Sequence, residues 1–168
     1  SNRRDVHPNH LRLSWATVVG MFIVLLQGAL VTKTGSAEGC GRSWPLCEGS
    51  LLPTGTLESF IEYSHRAVSG IVGVLVVLMA IQLWKNYRDR PEMRFLLPLS
   101  VGLMVVQSGL GAAAVMWPQP KVVLALHFGV SLSAFAAVLL PTVLLIQLKK
   151  GRTHRETLIS PRLRFWIW

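Results

Sequence analysis

Six side chains in this sequence are of the types, and at the spacings, that could do chemistry: Cys40, Cys47, Glu62, His65, Arg66 and His127. Glu62, His65 and Arg66 crowd the stretch IEYSHR, at the mouth of a segment that runs on as AVSGIVGVLVVLMAIQLW without a charge. His127 stands in the equally apolar ALHFGVSLSAFA. Ionisable groups in such surroundings are costly and are kept where they pair, bind or react. Two imidazoles at matched depth on separate helices can ligate one iron axially, which is how helical bundles hold haem. Small residues flank both histidines, Ala67, Ser69 and Gly70 on one side and Ala125, Gly129 and Ser131 on the other, so a flat macrocycle could approach the backbone. Arg66 has the planar fork that pairs with a carboxylate such as a haem propionate. Glu62, three residues before His65, projects from nearly the same helix face. There it could act as a general base or face a developing positive charge. The plainer alternatives are interhelical hydrogen bonds from the histidines, worth about 0.6 kcal/mol each, and a helix-terminus role for Glu62.

The elements that must position these groups follow from the gaps between charges. Charge-free runs at 13–32, 67–84, 95–120 and 122–148 hold 20, 18, 26 and 27 residues. At about 1.5 Å per residue each approaches or exceeds the roughly 30 Å hydrocarbon core of a bilayer. With 51% hydrophobic residues and a mean hydropathy of +0.46, a soluble bundle would lack polar covering. The expectation is one all-α integral membrane domain over 1–168, a four-helix bundle with helices at about 13–32, 62–84, 95–117 and 122–148 and a long loop at 33–61. LLQGALV in the first run and VVQSGLGAA in the third echo one another faintly, hinting at two related hairpins.

The net charge of +9 does not point to nucleic acid, because of where it lies. Thirteen of the 17 Lys and Arg precede helix 1, lie between helices 2 and 3, or follow helix 4. This is the positive-inside asymmetry, and it places both termini in the cytoplasm. The basic residues bracket apolar spans and lack interleaved stacking aromatics, so a nucleic-acid surface is the weaker explanation. His7, His10 and His154 fall in the basic cytoplasmic flanks and read as solvated. His65 and His127 both fall near the outer end of helices running inward.

Cys40 and Cys47, the only cysteines, lie in the external loop within EGCGRSWPLCEG. Thiols are oxidised outside the cytoplasmic membrane, and six intervening residues can bring the Cα atoms to the roughly 5.5 Å of a bridge. A disulfide is expected. Two cysteines without a nearby histidine do not make a zinc site. The pair also lacks the C-x-x-C spacing of thiol redox centres, and structural and redox-linked roles both stay open.

Three stretches, GALVTKTGSAEGCGRSWPLC, FIEYSHRAVSG and ALHFGVSLSAFA, set on four spans, resemble the N-terminal half of the haem A synthase family, in the branch with a cysteine pair in the first external loop. The resemblance implies an eight-helix protein of two pseudo-symmetric halves in the bacterial cytoplasmic membrane. It implies oxidation of a methyl group of haem O to the formyl group of haem A, for terminal oxidases. By the same resemblance His65 and His127 are the axial ligands of the substrate haem, Glu62 is the catalytic acid residue, and Cys40 and Cys47 form the loop disulfide. Implied partners are membrane lipid, haem O synthase and an electron acceptor such as quinone. The second half, with its own histidine pair for haem b, is absent from this sequence. The chain opens on Ser rather than Met, and RLRFWIW at its close reads as the flank of a fifth helix at 161–168.

Two other classes would use part of the same set. A quinone-linked membrane thiol oxidoreductase needs the cysteines and not the histidines. A bis-histidine haem electron carrier needs the histidines and not Glu62.

Overall fold

A computed structural model of the chain describes residues 6–53, 55–117 and 121–150. It contains four long helices, α1 (Pro8–Thr34), α2 (Leu57–Tyr87), α3 (Pro91–Met116) and α4 (Lys121–Lys149), with a 3-10 turn at Ser36–Glu38 between the first two. Among the described residues the strand-like pairing is one isolated bridge, Cys47 with Ser50. Each helix is long and apolar enough to cross a membrane. The shortest, α3 with 26 residues, extends roughly 39 Å at 1.5 Å per residue. The chain is an all-α membrane bundle. The expected start of a fifth helix at 161–168 and His154 lie outside the described residues.

The helices outrun the charge-free runs, because local capping carries them into polar flanks. Pro8 takes the first position of α1, where a missing N–H costs nothing, and His7 Nδ1 accepts the Asn9 N–H at 3.2 Å. The helix stops at Gly35, whose φ of 68° is open to glycine at little cost. Thr56 Oγ1 accepts the Ser59 N–H at 3.1 Å, a cap worth about 1 kcal/mol. Since α2 begins at Leu57 with Glu58 in its first turn, the helix-terminus role belongs to Thr56 and Glu58. Glu62 stands a turn further in. His7 is exposed, as expected, while it caps α1; His10, also expected to be solvated, is instead half-buried, and its Nδ1 shares a 2.9 Å hydrogen bond with the Tyr87 hydroxyl. The extra length of α2 brings Tyr87 down to the start of α1.

Consecutive helices form two antiparallel hairpins, α1 with α2 and α3 with α4, and α1–α4 and α2–α3 contacts close the bundle. The helices α2 and α4 therefore stand diagonally opposite each other. The α1–α2 and α3–α4 connections share one end of the bundle, the loop end, and the beginning of α1 and the α2–α3 turn share the other. Large side chains such as Phe22, Leu26, Ile71, Leu78 and Leu132 face outward, as expected of helices in lipid. Burying apolar groups gains little there, so close packing must hold the helices together. It does so away from the loop end, where Met21, Val76, Met79, Leu83, Met93, Leu97, Val138 and Leu145 form one buried cluster. The buried hydroxyls of Ser14, Thr17 and Thr142 each return to the carbonyl four residues back, leaving these groups satisfied at contact surfaces.

Candidate functional site

At the loop end the connection between α1 and α2 folds back onto α2. Cys40 and Cys47 form the expected disulfide, Cα to Cα 4.4 Å, and both are fully buried. Cys47 Sγ lies 3.5 Å from Ser59 Oγ, and the Cys40 N–H donates to Glu62 Oε2 at 2.7 Å. Gly39 permits this seating, because a Cβ there would run into the backbone of Glu58. Arg66, one turn after Glu62, donates through Nη2 to Glu62 Oε1 and through Nη1 to the carbonyls of Ser43 at 2.8 Å and Leu46 at 2.9 Å. The side chains of Arg66 and Glu62 are 12% and 3% exposed. Removing one partner of such a pair strands the other, at a cost of about 3–5 kcal/mol. A disulfide buried this way is closed to an external thiolate, which disfavours thiol oxidoreductase chemistry.

The two histidines occupy matching settings in the two hairpins. A Cβ on Gly28 of α1 would lie 3.3 Å from His65 Cε1, and one on Gly111 of α3 would lie 3.2 Å from His127 Cε1. Each imidazole thus lies against a bare stretch of the neighbouring helix. Ser69 and Ser131, four residues after the respective histidines, each donate at 2.6 Å to that histidine's carbonyl. A third contact fixes the heights, since a Cβ on Gly73 of α2 would meet Met104 Cε of α3 at 3.3 Å. Gly73 is eight residues past His65 and Met104 seven before Gly111, roughly 12 and 10 Å along their helices. His65 and His127 therefore stand at the same height to within about one turn.

Between them lies an open cavity of about 1150 Å³, whose wall includes Trp44, Glu62, His65, Arg66, His127 and Phe128. It exceeds the roughly 300–1,000 Å³ of ordinary small-molecule sites. His127 Nδ1 is 3.0 Å from the Gln107 carbonyl. A carbonyl only accepts, so this nitrogen carries the proton and Nε2 keeps a lone pair for a metal, the usual setting of a ligating histidine. His65 Nδ1 and Arg66 Nε are buried without a hydrogen-bond partner. Among the described residues no three His, Cys, Asp or Glu converge as a metal cluster. Two imidazoles facing a large apolar space fit a metal that brings its own equatorial donors, as a porphyrin does.

The six side chains singled out for chemistry are all in this region. Cys40, Cys47, Glu62 and Arg66 form a clamp at its rim, and His65 and His127 face its interior. Two of the three guanidinium nitrogens of Arg66 are occupied by the loop and Glu62, leaving Nε for any further anion. Gly28, Gly111 and Gln107 join the site only once the hairpins are assembled. Their signal was present in the echo of LLQGALV and VVQSGLGAA, which places a glutamine and glycines at the histidine level of both hairpins.

Comparison with known proteins gives the family. Residues 11–168 match the model of the family described as cytochrome oxidase assembly protein, COX15-CtaA. The chain is 49% identical to the heme A synthase of Bacillus licheniformis over 149 residues, which cover 89% of this chain and 49% of that protein. It is 50% identical to that of Alkalihalophilus pseudofirmus, over 86% of this chain and 50% of that protein. For that of Geobacillus kaustophilus the identity is 47%, over 93% and 50% respectively. The chain spans about half the length of the curated relatives it matches. Bacterial relatives and four membrane-crossing helices make it a bacterial membrane protein.

The clamp yields a testable consequence. Replacing Arg66 by Gln removes the charged donor to two loop carbonyls, and amide hydrogen exchange at residues 43–47 should rise by about tenfold or more. The amides within the four helices should keep their protection. Unchanged exchange in the loop would mean that the disulfide alone holds it.

Proposed function

The chain belongs to the cytochrome oxidase assembly family, and from that membership we propose that it is the substrate-binding half of a haem A synthase. The substrate is haem O, one methyl group of which becomes the formyl group of haem A for a terminal oxidase. The observation that carries the reading is the pair of imidazoles on diagonally opposed helices, level to within about one turn and facing one cavity.

In this reading His65 and His127 hold the iron, His127 through Nε2, because its Nδ1 proton is committed to Gln107. Haem O supplies the reacting methyl group and the iron that keeps it in place. Converting a methyl to a formyl group with a water-derived oxygen releases four electrons and four protons, so an acceptor such as a quinone must take the electrons. Glu62 places a negative charge at the cavity wall, and each of its oxygens accepts one hydrogen bond while keeping a second lone pair. It can therefore receive a proton or face a cation developing beside it, against a mainly apolar lining. Arg66 orients Glu62 and keeps Nε for a propionate. The second half of the protein would carry haem b, and haem O synthase would supply the substrate. The membrane is the bacterial cytoplasmic membrane, with both termini inside and the disulfide loop outside.

Three experiments on the full-length protein address these assignments. Single cysteines introduced at Leu52 and Asp89 should react with impermeant maleimides from opposite faces, the native pair staying silent as a disulfide. Labelling of both from one face would reverse the topology. Replacement of His65 or His127 by alanine should remove the low-spin haem signal of this half, because one imidazole rarely sustains that state alone; an unchanged spectrum in the double variant would sink the ligand assignment. Glu62→Gln keeps size and hydrogen bonding, so haem O should bind with its low-spin spectrum while turnover falls by about 10² or more. Haem A formation at the parent rate would remove Glu62 from the chemistry.

A further inference from the structure

The cavity is not equally deep against all four helices. On α1 it reaches Val24 and on α4 it reaches Ser131, each four residues beyond the histidine level marked by Gly28 and His127. That is roughly 6 Å of depth at 1.5 Å per residue. On α2 it continues to Val77, twelve residues past His65, and on α3 to Val101, ten residues before Gly111. Those distances correspond to roughly 18 and 15 Å. The space is thus a chamber at the histidine level with an arm that descends about 10 Å further between α2 and α3 alone.

The walls of the arm define its chemistry. Gly73, Val77, Val101, Met104 and Val105 line it, none carries a charge, and the one polar side-chain atom among them, Met104 Sδ, is already taken by the Gln107 amide at 2.9 Å. A ligand group lodged there must be apolar throughout. Val77 is 42% and Val105 67% exposed, so the arm opens sideways toward lipid and a group longer than the arm can run on into the bilayer. At its throat Gly73 leaves room that Met104 partly fills, and a methionine is flexible enough to yield to an elongated guest. A tail-less macrocycle has no group to place there.

Resting on the haem O reading above, we propose that this arm is the subsite for the long isoprenoid tail of the substrate, with Gly73 and Met104 setting its width. The arm then distinguishes tail-bearing haem from tail-less haem, while the histidines recognise what the two share.

The test uses full-length protein in lipid nanodiscs, titrated separately with haem O and with tail-less haem B, counting only the low-spin signal that His65→Ala abolishes. Gly73→Leu fills the throat. It should weaken haem O binding by about tenfold or more, the scale of discrimination by an apolar pocket, and leave haem B binding unchanged. Met104→Ala added to Gly73→Leu makes room again and should restore haem O affinity, which also shows that the variant is folded. Equal loss of both haems would overturn the tail site. Unchanged haem O affinity would overturn it as well and assign the arm to lipid acyl chains. Binding of neither haem by the parent protein would instead overturn the reading on which the tail site rests.

Discussion

The buried pair of Glu62 and Arg66 is the interaction on which the loop end depends. One turn apart on α2, the two side chains present an acceptor to the Cys40 N–H and donors to the Ser43 and Leu46 carbonyls. A loop rich in glycine and proline has no secondary structure to satisfy these backbone groups, and leaving the buried Cys40 N–H unpaired would cost about 1–3 kcal/mol. The pair thus seats the loop beside the cavity, and the loop in turn fixes the carboxylate at the cavity wall. Structural and chemical roles of Glu62 are not competing explanations. A carboxylate that is to act at a defined point must first be held there.

The same economy of side chains divides the bundle lengthwise. Toward the α2–α3 turn, Met, Leu and Val fill the space between helices. Toward the loop end the facing positions are Gly28, Ser69, Gly70, Ser108 and Gly111, and a cavity remains. In a membrane, the hydrophobic effect does not close such a gap, because lipid competes equally for apolar surface. The packed half and the loop clamp brace the hollow half from its two ends, so the two histidines can stand apart. Placing them on diagonal helices leaves the cavity of about 1150 Å³ between them.

Much of this was legible in the sequence, and the limits have physical causes. Gaps between charges gave the four spans, but not their ends, because Thr56, His7 and Pro8 prolong the helices by capping rather than by hydropathy. Equal heights for His65 and His127 followed from their distances to the helix starts, since rise per residue is constant. The Glu62–Arg66 spacing of four was visible, yet its loop partners are backbone groups, which leave no side-chain signature. His10 and Tyr87 are 77 residues apart in sequence, and nothing local links them. The glycines facing the imidazoles were present in a weak repeat whose meaning emerges only once each hairpin is assembled.

The central claim is that one haem lies between His65 and His127 beside Glu62. A structure of the full-length protein in nanodiscs with haem O bound tests this most directly. The account predicts iron coordinated by both imidazoles, His127 through Nε2, with the Glu62 carboxylate at the edge of the macrocycle. Haem bound elsewhere, or held in this half by ligands other than these two histidines, would contradict it.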